Sequence, residues 1–166
     1  MPDMLVKLYH VQPMPEQEEA LRARGIFITR VLPPDRHLVL NFITEHFSEG
    51  WASECMASFS YNPVSCYIAV KDKQVIGFAC YNATAKDYFG PTGVDPAYRG
   101  QSVGAALLLR CMLSLKEEGY GYAIIGGVGG ARTFYEKVVG ATVIENSVPG
   151  LYAQMVCYAG NVTKGS

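Results

Sequence analysis

Three observations predict an α/β chain (α+β) with a mixed sheet flanked by helices. Short β-branched and aromatic runs alternate with segments whose apolar residues recur at helical spacing. Glycine or proline punctuates most junctions between them. The stretch "CYIAVKDKQVIGFACYN" reads as two strands around a polar turn at Asp72–Lys73, so the sheet contains at least one antiparallel pair.

The elements follow in order. "LVKLYHV" (Leu5–Val11) alternates as a strand. "PEQEEALRARG" is a helix with Pro15 at its start, acids in its first turn, Arg22 and Arg24 late and Gly25 as its stop. "IFITRVL" (Ile26–Leu32) is a second strand, closed by Pro33 and Pro34. Asp35 can cap the next helix, in which Leu38, Val39, Phe42, Ile43 and Phe47 share a face. "WASECMASF" is a short helix, the Asp72–Lys73 hairpin follows, and "YFGPTGV" (Tyr88–Val94) is a strand interrupted by glycine and proline. Val103–Glu118 is apolar on most sides, a helix buried against a sheet and ended by Gly119. "YAIIGGV" is a strand, "ARTFYEKVV" a helix, and "ATVIEN" and "LYAQMVCYA" are the last strands. No repeat or low-complexity linker appears.

Composition bounds the function. The chain has 166 residues, 49% of them apolar, enough for one domain with a substantial core. A net charge of −1 gives no reason to expect nucleic acid or an anionic membrane as partner. No apolar run is long enough to span a bilayer, and the first residues lack the basic and apolar regions of a secretory signal. Cys55, Cys66, Cys80, Cys111 and Cys157 are odd in number and include no C-x-x-C pair. That pattern argues against a disulfide framework or a zinc site and for a reducing, cytoplasmic setting, where "NVT" at Asn161 is an accidental glycosylation string. His37 and His46 lack metal-ligand spacing, so no metal is expected.

The segment "DPAYRGQSVGAALLLRCML" carries the chemistry. A strand, a loop of small residues and a helix start bring free backbone N–H groups together, and Arg99 adds a cation that can meet an anion's oxygens. The same segment can serve as a tight packing turn. G-x-x-x-x-G-K-[ST] and G-x-G-x-x-G are both absent, which counts against nucleotide triphosphates and dinucleotides.

"VDPAYRGQSVGAALL" resembles the acyl-coenzyme A loop of the GNAT acetyltransferase superfamily, R/Q-x-x-G-x-G/A, here Arg99-Gly100-Gln101-Ser102-Val103-Gly104. "ARTFYEKVVGA" is similar to that superfamily's second signature, a helix with a mid-helix tyrosine, Tyr135. The resemblance covers roughly Ile26 to Tyr152 and implies a mostly antiparallel GNAT-like sheet. It also implies a division into a strand–helix extension packed on the domain (1–25), a GNAT domain (26–158) and a tail (159–166). The implied cosubstrate is acetyl-CoA, its pyrophosphate held by the amides of Gln101, Ser102, Val103, Gly104 and Ala105 beside Arg99 and Gly100.

There are two departures from the family pattern. Ser102 stands where the family most often has glycine; a positive φ there would cost roughly 1–2 kcal/mol, so a helical or near-helical backbone is expected. Val128, seven residues before Tyr135, stands where many relatives carry an asparagine that bonds the coenzyme arm. The surrounding "GGVGGA" either lets the chain approach the cofactor or forms a tight turn.

The implied reaction is attack of a primary amine, of a small molecule or peptide, on the thioester. By resemblance, a backbone N–H beside Val94 meets the developing negative charge and Tyr135 protonates the leaving thiolate. Deprotonating a lysine-like amine at pH 7 costs roughly 4–5 kcal/mol and an α-amine about 1–1.5 kcal/mol, so a base matters most for the former. Glu54, in the region that commonly forms the acceptor wall in that superfamily, reads as a solvated helix carboxylate or as the candidate base, with Asp87 and Asp95 as further carboxylates. Asp95 before proline also reads as a turn residue. Trp51 and Phe59 can line an acceptor pocket or pack in the core. The alternative function is a non-catalytic coenzyme A-binding or sensing module. The N-terminal strand and helix can form a homodimer contact or be covered within one chain.

Overall fold

The computed structural model describes residues 1–157. The expected tail (159–166), with Asn161, lies outside the described residues. The strands are β1 (Met4–Lys7), β2 (Ile26–Arg30), β3 (Cys66–Lys71), β4 (Gln74–Tyr81), β5 (Tyr88–Val94), β6 (Tyr122–Ile125) and β7 (Thr142–Val143). The helices are α1 (Pro15–Ala23), α2 (Arg36–His46), α3 (Glu49–Ala57), α4 (Val103–Glu117) and α5 (Arg132–Val139). One sheet runs in the order β2-β3-β4-β5-β6-β1-β7, antiparallel except for the β5–β6 pair.

Alternation along the central strands divides the core in two. Tyr67, Ala69, Ala79 and Tyr81 face α1 and α4, against Leu21, Leu107, Leu108 and Met112. Cys66, Ile68, Phe78 and Cys80 face α2 and α3, against Val39, Phe42, Ile43 and Cys55. Arg30 satisfies the polar tips inside the first layer, donating to the hydroxyls of Tyr81 (2.6 Å) and Tyr67 (2.8 Å) and to the Val64 carbonyl (2.6 Å).

The Asp72–Lys73 hairpin forms as expected, with φ of 50° and 60° at those residues, as a two-residue turn matched to strand twist requires. Other expectations are corrected. The strand read over Leu5–Val11 is Met4–Lys7, followed by a single 3-10 turn at Leu8–His10. Asp35 stands before α2 but its side chain makes no capping bond, because Pro33–Asp35 already form a 3-10 turn. "ATVIEN" keeps strand pairing only at Thr142–Val143.

"LYAQMVCYA" is not a strand over its described residues; Gly150–Tyr152 form a 3-10 turn. The reason lies at the other end of the chain. β1 lies between β6 and β7, pairing Met4 with Ile125 and Val143 and Leu5 with Ile124 and Thr142. The segment expected as an extension over 1–25 is thus built into the sheet, and β1 offers no free edge for a partner strand at those residues. A late strand finds the position beside β6 already filled.

Asp3 fixes this arrangement. Its carboxylate accepts from the Gly127 amide (2.8 Å), its carbonyl from Ile144 (2.9 Å), and its own amide donates to Ser147 (2.8 Å). The residue is only 6% exposed. Asp3→Ala leaves the Gly127 amide without its partner and is expected to cost about 1–3 kcal/mol, read by urea denaturation; an unchanged midpoint would show that the amide finds another acceptor.

Candidate active site

β5 and β6 pair only at Tyr88↔Ile124 and Phe89↔Ile125. Beyond those two rungs they part. The parting opens a cleft of about 660 Å³, bordered by Phe89, Gly90 and Pro91 on β5 and by Gly126 and Gly127 after β6. α3 supplies the facing wall with Trp51 and Glu54, while Thr84 and Tyr152 close the rim.

Local sequence explains each wall. Ser48 caps α3 by accepting from the Trp51 amide (3.1 Å), which starts the helix at the cleft mouth. Trp51 stacks on Phe47, with centroids 5.3 Å apart. Phe47 in turn lies over Gly93, where any β-carbon would overlap its ring. Gly126 is restricted in the same way by Tyr152 and Tyr88. These two glycines are therefore packing requirements of the cleft.

The electrostatics are set by desolvation. Burial raises the Glu54 carboxyl above its ordinary value of 4.5, partly opposed by a hydrogen bond from the Thr84 hydroxyl. Tyr135 is 7% exposed, packs edge-on against Phe89 and Phe134, and is pushed up to about 12 by burial. Tyr152 is also raised, by burial first and then by the nearby Glu54 and Asp3 charges.

The loop that precedes α4 lies at the other end of β5. At about 3.3 Å per residue, β5 carries the chain roughly 13 Å from Gly90 to Val94. The Asp95 amide donates to Ile76 on β4 (2.8 Å), so the preceding Val94 amide points the other way, to the side β6 has left. Asp95 then accepts from Ala97 (2.9 Å), the turn role expected for it, and stands 3.6 Å from His46.

Ser102 overturns the helical expectation. Its φ is +68°, left-handed, just before α4 begins. The chain leaves a 3-10 turn at Pro96–Tyr98 and must reverse into α4, and Gly100 at +78° makes only part of that reversal. Ser102 makes no side-chain capping bond; its carbonyl accepts from Ala106 (3.1 Å). The first-turn amides of Val103, Gly104 and Ala105 are left for an outside acceptor. This opening fits a pyrophosphate, since Gly100 has open space where a β-carbon would stand and Arg99 is exposed beside it.

The sequence-based candidates thus fall into three places. Val94 through Ala105 form one continuous loop and helix start. Glu54 and Trp51 stand on the cleft wall. Tyr135 lies behind Phe89 in the core, Asp87 off the cleft lining, and Phe59 in the α2–α3 core layer. Val128 is buried, and its amide donates to the Pro2 carbonyl (2.9 Å), so "GGVGGA" serves a tight turn at that residue.

Arg24, Thr84 and Tyr152 were missed by sequence reasoning. Arg24 donates to the carbonyl (3.0 Å) and side chain (3.4 Å) of Gln101, bracing the loop before α4 from the end of α1. A basic residue at a helix C-terminus was visible, but its partner 77 positions away was not.

Residues 62–138 match the acetyltransferase (GNAT) domain family. No curated protein matches the chain. Among solved structures, the GCN5-related glucosamine N-acetyltransferase region of a fungal multi-domain GH3 β-N-acetylglucosaminidase is similar at TM-score 0.69 and 14% identity, over 86% of this chain and 19% of that one. A GCN5-related N-acetyltransferase from Sphaerobacter thermophilus gives 0.66 and 22%, over 86% and 48%. A GNAT family acetyltransferase from Brucella melitensis, in complex with acetyl-CoA, gives 0.51 and 21%, over 66% and 80%. The chain spans about a fifth of the first of these and about half of the second. Residues 62–138 thus match the GNAT acetyltransferase domain family, and the chain shares its fold with these structures.

Left-handed backbone at a non-glycine residue yields a direct test. Ser102→Gly is expected to stabilise the fold by about 0.5–1 kcal/mol, the relieved strain less the extra chain entropy of glycine, read by urea denaturation. A loss of stability would show that the serine side chain supports the loop.

Proposed function

We propose that the chain is an N-acetyltransferase that transfers an acetyl group from acetyl-CoA to a primary amine of a small molecule or peptide. The observation that carries this reading is the parting of β5 from β6, which leads from an open helix start at Val103 to a walled cleft at Glu54. Bound acetyl-CoA supplies a thioester that an amine attacks directly. Amides from Gln101 to Ala105, with Arg99 and Gly100, hold the pyrophosphate. The outward Val94 amide stabilises the charge that develops on the carbonyl oxygen.

Glu54 takes the amine proton. Its raised ionisation makes it a stronger base than a solvated carboxylate once ionised. Tyr135 keeps its proton at neutral pH, and its high value makes complete transfer to a thiolate uphill, so its role is to hydrogen-bond the leaving sulfur. Four buried free cysteines support a reducing, cytoplasmic setting. The alternative, a non-catalytic coenzyme A-binding or sensing module, draws on Val128, whose amide is committed to Pro2.

Calorimetry with acetyl-CoA separates these readings from a lost site. Wild-type protein should bind, and Gly104→Glu, which sets a carboxylate at the helix start, should abolish binding without unfolding. Failure of the folded wild type to bind would remove both readings.

Kinetics of thiol release then separate the two. A raised carboxyl loses its base form at higher pH than an ordinary one, so the rate falls as pH drops through that raised value. Glu54→Gln should abolish this acid limb and lower kcat by roughly 10²-fold, and Tyr135→Phe should lower kcat by about 10-fold with the KM for acetyl-CoA unchanged. Binding without turnover of any primary amine favours the sensing module.

A further inference from the structure

The core face of α3 carries chemistry that acetyl transfer does not use. Cys55 on α3, Cys66 on β3 and Cys80 on β4 bring their three sulfurs within 4.8 Å of one another, and none of the three residues reaches solvent. Cys66 and Cys80 are direct cross-strand partners, and Cys55 closes the triangle from above the sheet. Sequence spacing hides this trio, because its members lie in separate elements with no C-x-x-C pair.

Each cysteine taken singly is explained as a small apolar core residue. Their convergence is a chemical arrangement. Three bonds of about 2.3 Å to a common centre place the sulfurs about 4 Å apart when planar and closer when pyramidal, so little movement closes the set.

Charge selects the occupant. Val39, Ile43, Val64, Ile68 and Phe78 belong to the same core layer, Ser58 donates to the Cys55 carbonyl, and none of the buried polar residues among the described ones, Asp3, Ser58, Ser65 and Asn82, is cationic. Three thiolates around copper(I) would carry −2 and around a divalent ion −1, charges this apolar wall cannot compensate. A trivalent centre gives a neutral adduct.

We propose that Cys55, Cys66 and Cys80 form a closed three-thiol site for a trivalent thiophilic centre of the arsenic(III) class. In the binding step As(OH)3 exchanges three As–O bonds for three As–S bonds. Each thiol proton leaves with a hydroxide as water, and no electrons change hands. Loading requires α3 to lift from the sheet, so uptake is slow. Once loaded, the adduct ties α3, which also carries Trp51 and Glu54, to β3 and β4.

The test uses the full reduced chain with sodium arsenite, followed by native mass spectrometry and arsenic X-ray absorption. One arsenic per chain with three sulfur neighbours and no oxygen is expected, together with a raised thermal midpoint. Cys55→Ala should weaken binding at least tenfold, while the Cys111→Ala, Cys157→Ala double variant should bind as wild type. The wild-type absorption spectrum decides the ligand set even where Cys55→Ala fails to fold. An oxygen-containing shell, uptake that survives Cys55→Ala in a folded protein, uptake lost in the double variant, or tight copper(I) binding with no arsenic bound would each overturn the proposal.

Discussion

The structure depends on where the β5–β6 pairing stops. Two rungs, at Tyr88 and Phe89, are enough to align the strands, and their end releases the backbone of β5 from any partner on that side. Continued pairing would consume the Val94 amide and fill the cleft. The parting is held from behind. β1 binds the outer edge of β6, and Asp3 grips the Gly127 amide, so β6 cannot swing back toward β5 without breaking buried hydrogen bonds.

The same physical cause acts on Glu54 and Tyr135 with opposite chemical consequences. Burial disfavours charge on both. For a carboxyl beside a cleft, this raises its basicity. For a phenol behind Phe89, it holds the proton more firmly and limits the group to hydrogen bonding. Thr84 moderates the first effect, whereas the tyrosine's shift has no opposing partner. Identity and location must therefore be read together before a role is given to either side chain.

Elements with a local cause were legible in the sequence. The Asp72–Lys73 turn, the apolar α4 and the helix start after Asp95 depend on residues within a few positions of one another. Features with a distant cause were not. The fate of "LYAQMVCYA" is decided by Met4–Lys7 filling the strand position beside β6, and Tyr152 becomes a rim residue only because that happens. Ser102 is left-handed because the loop must reverse between two fixed elements and Arg24 holds Gln101 beside it. The two motif segments form the loop before α4 and the tyrosine helix; Arg24, which holds Gln101, and Thr84, which donates to Glu54, bear no motif.

The interior position of β1 bears on how the chain assembles. Its partners are Tyr122–Ile125 and Thr142–Val143, more than a hundred residues further on. A chain growing from its N-terminus makes this strand first and can place it only after nearly everything else exists. Closing so long a loop before any contact is gained slows folding. Until then the apolar residues Met4, Val6 and Leu8, fully buried at the end, remain uncovered. The strand that keeps the cleft open is thus the one whose apolar surface waits longest for its place.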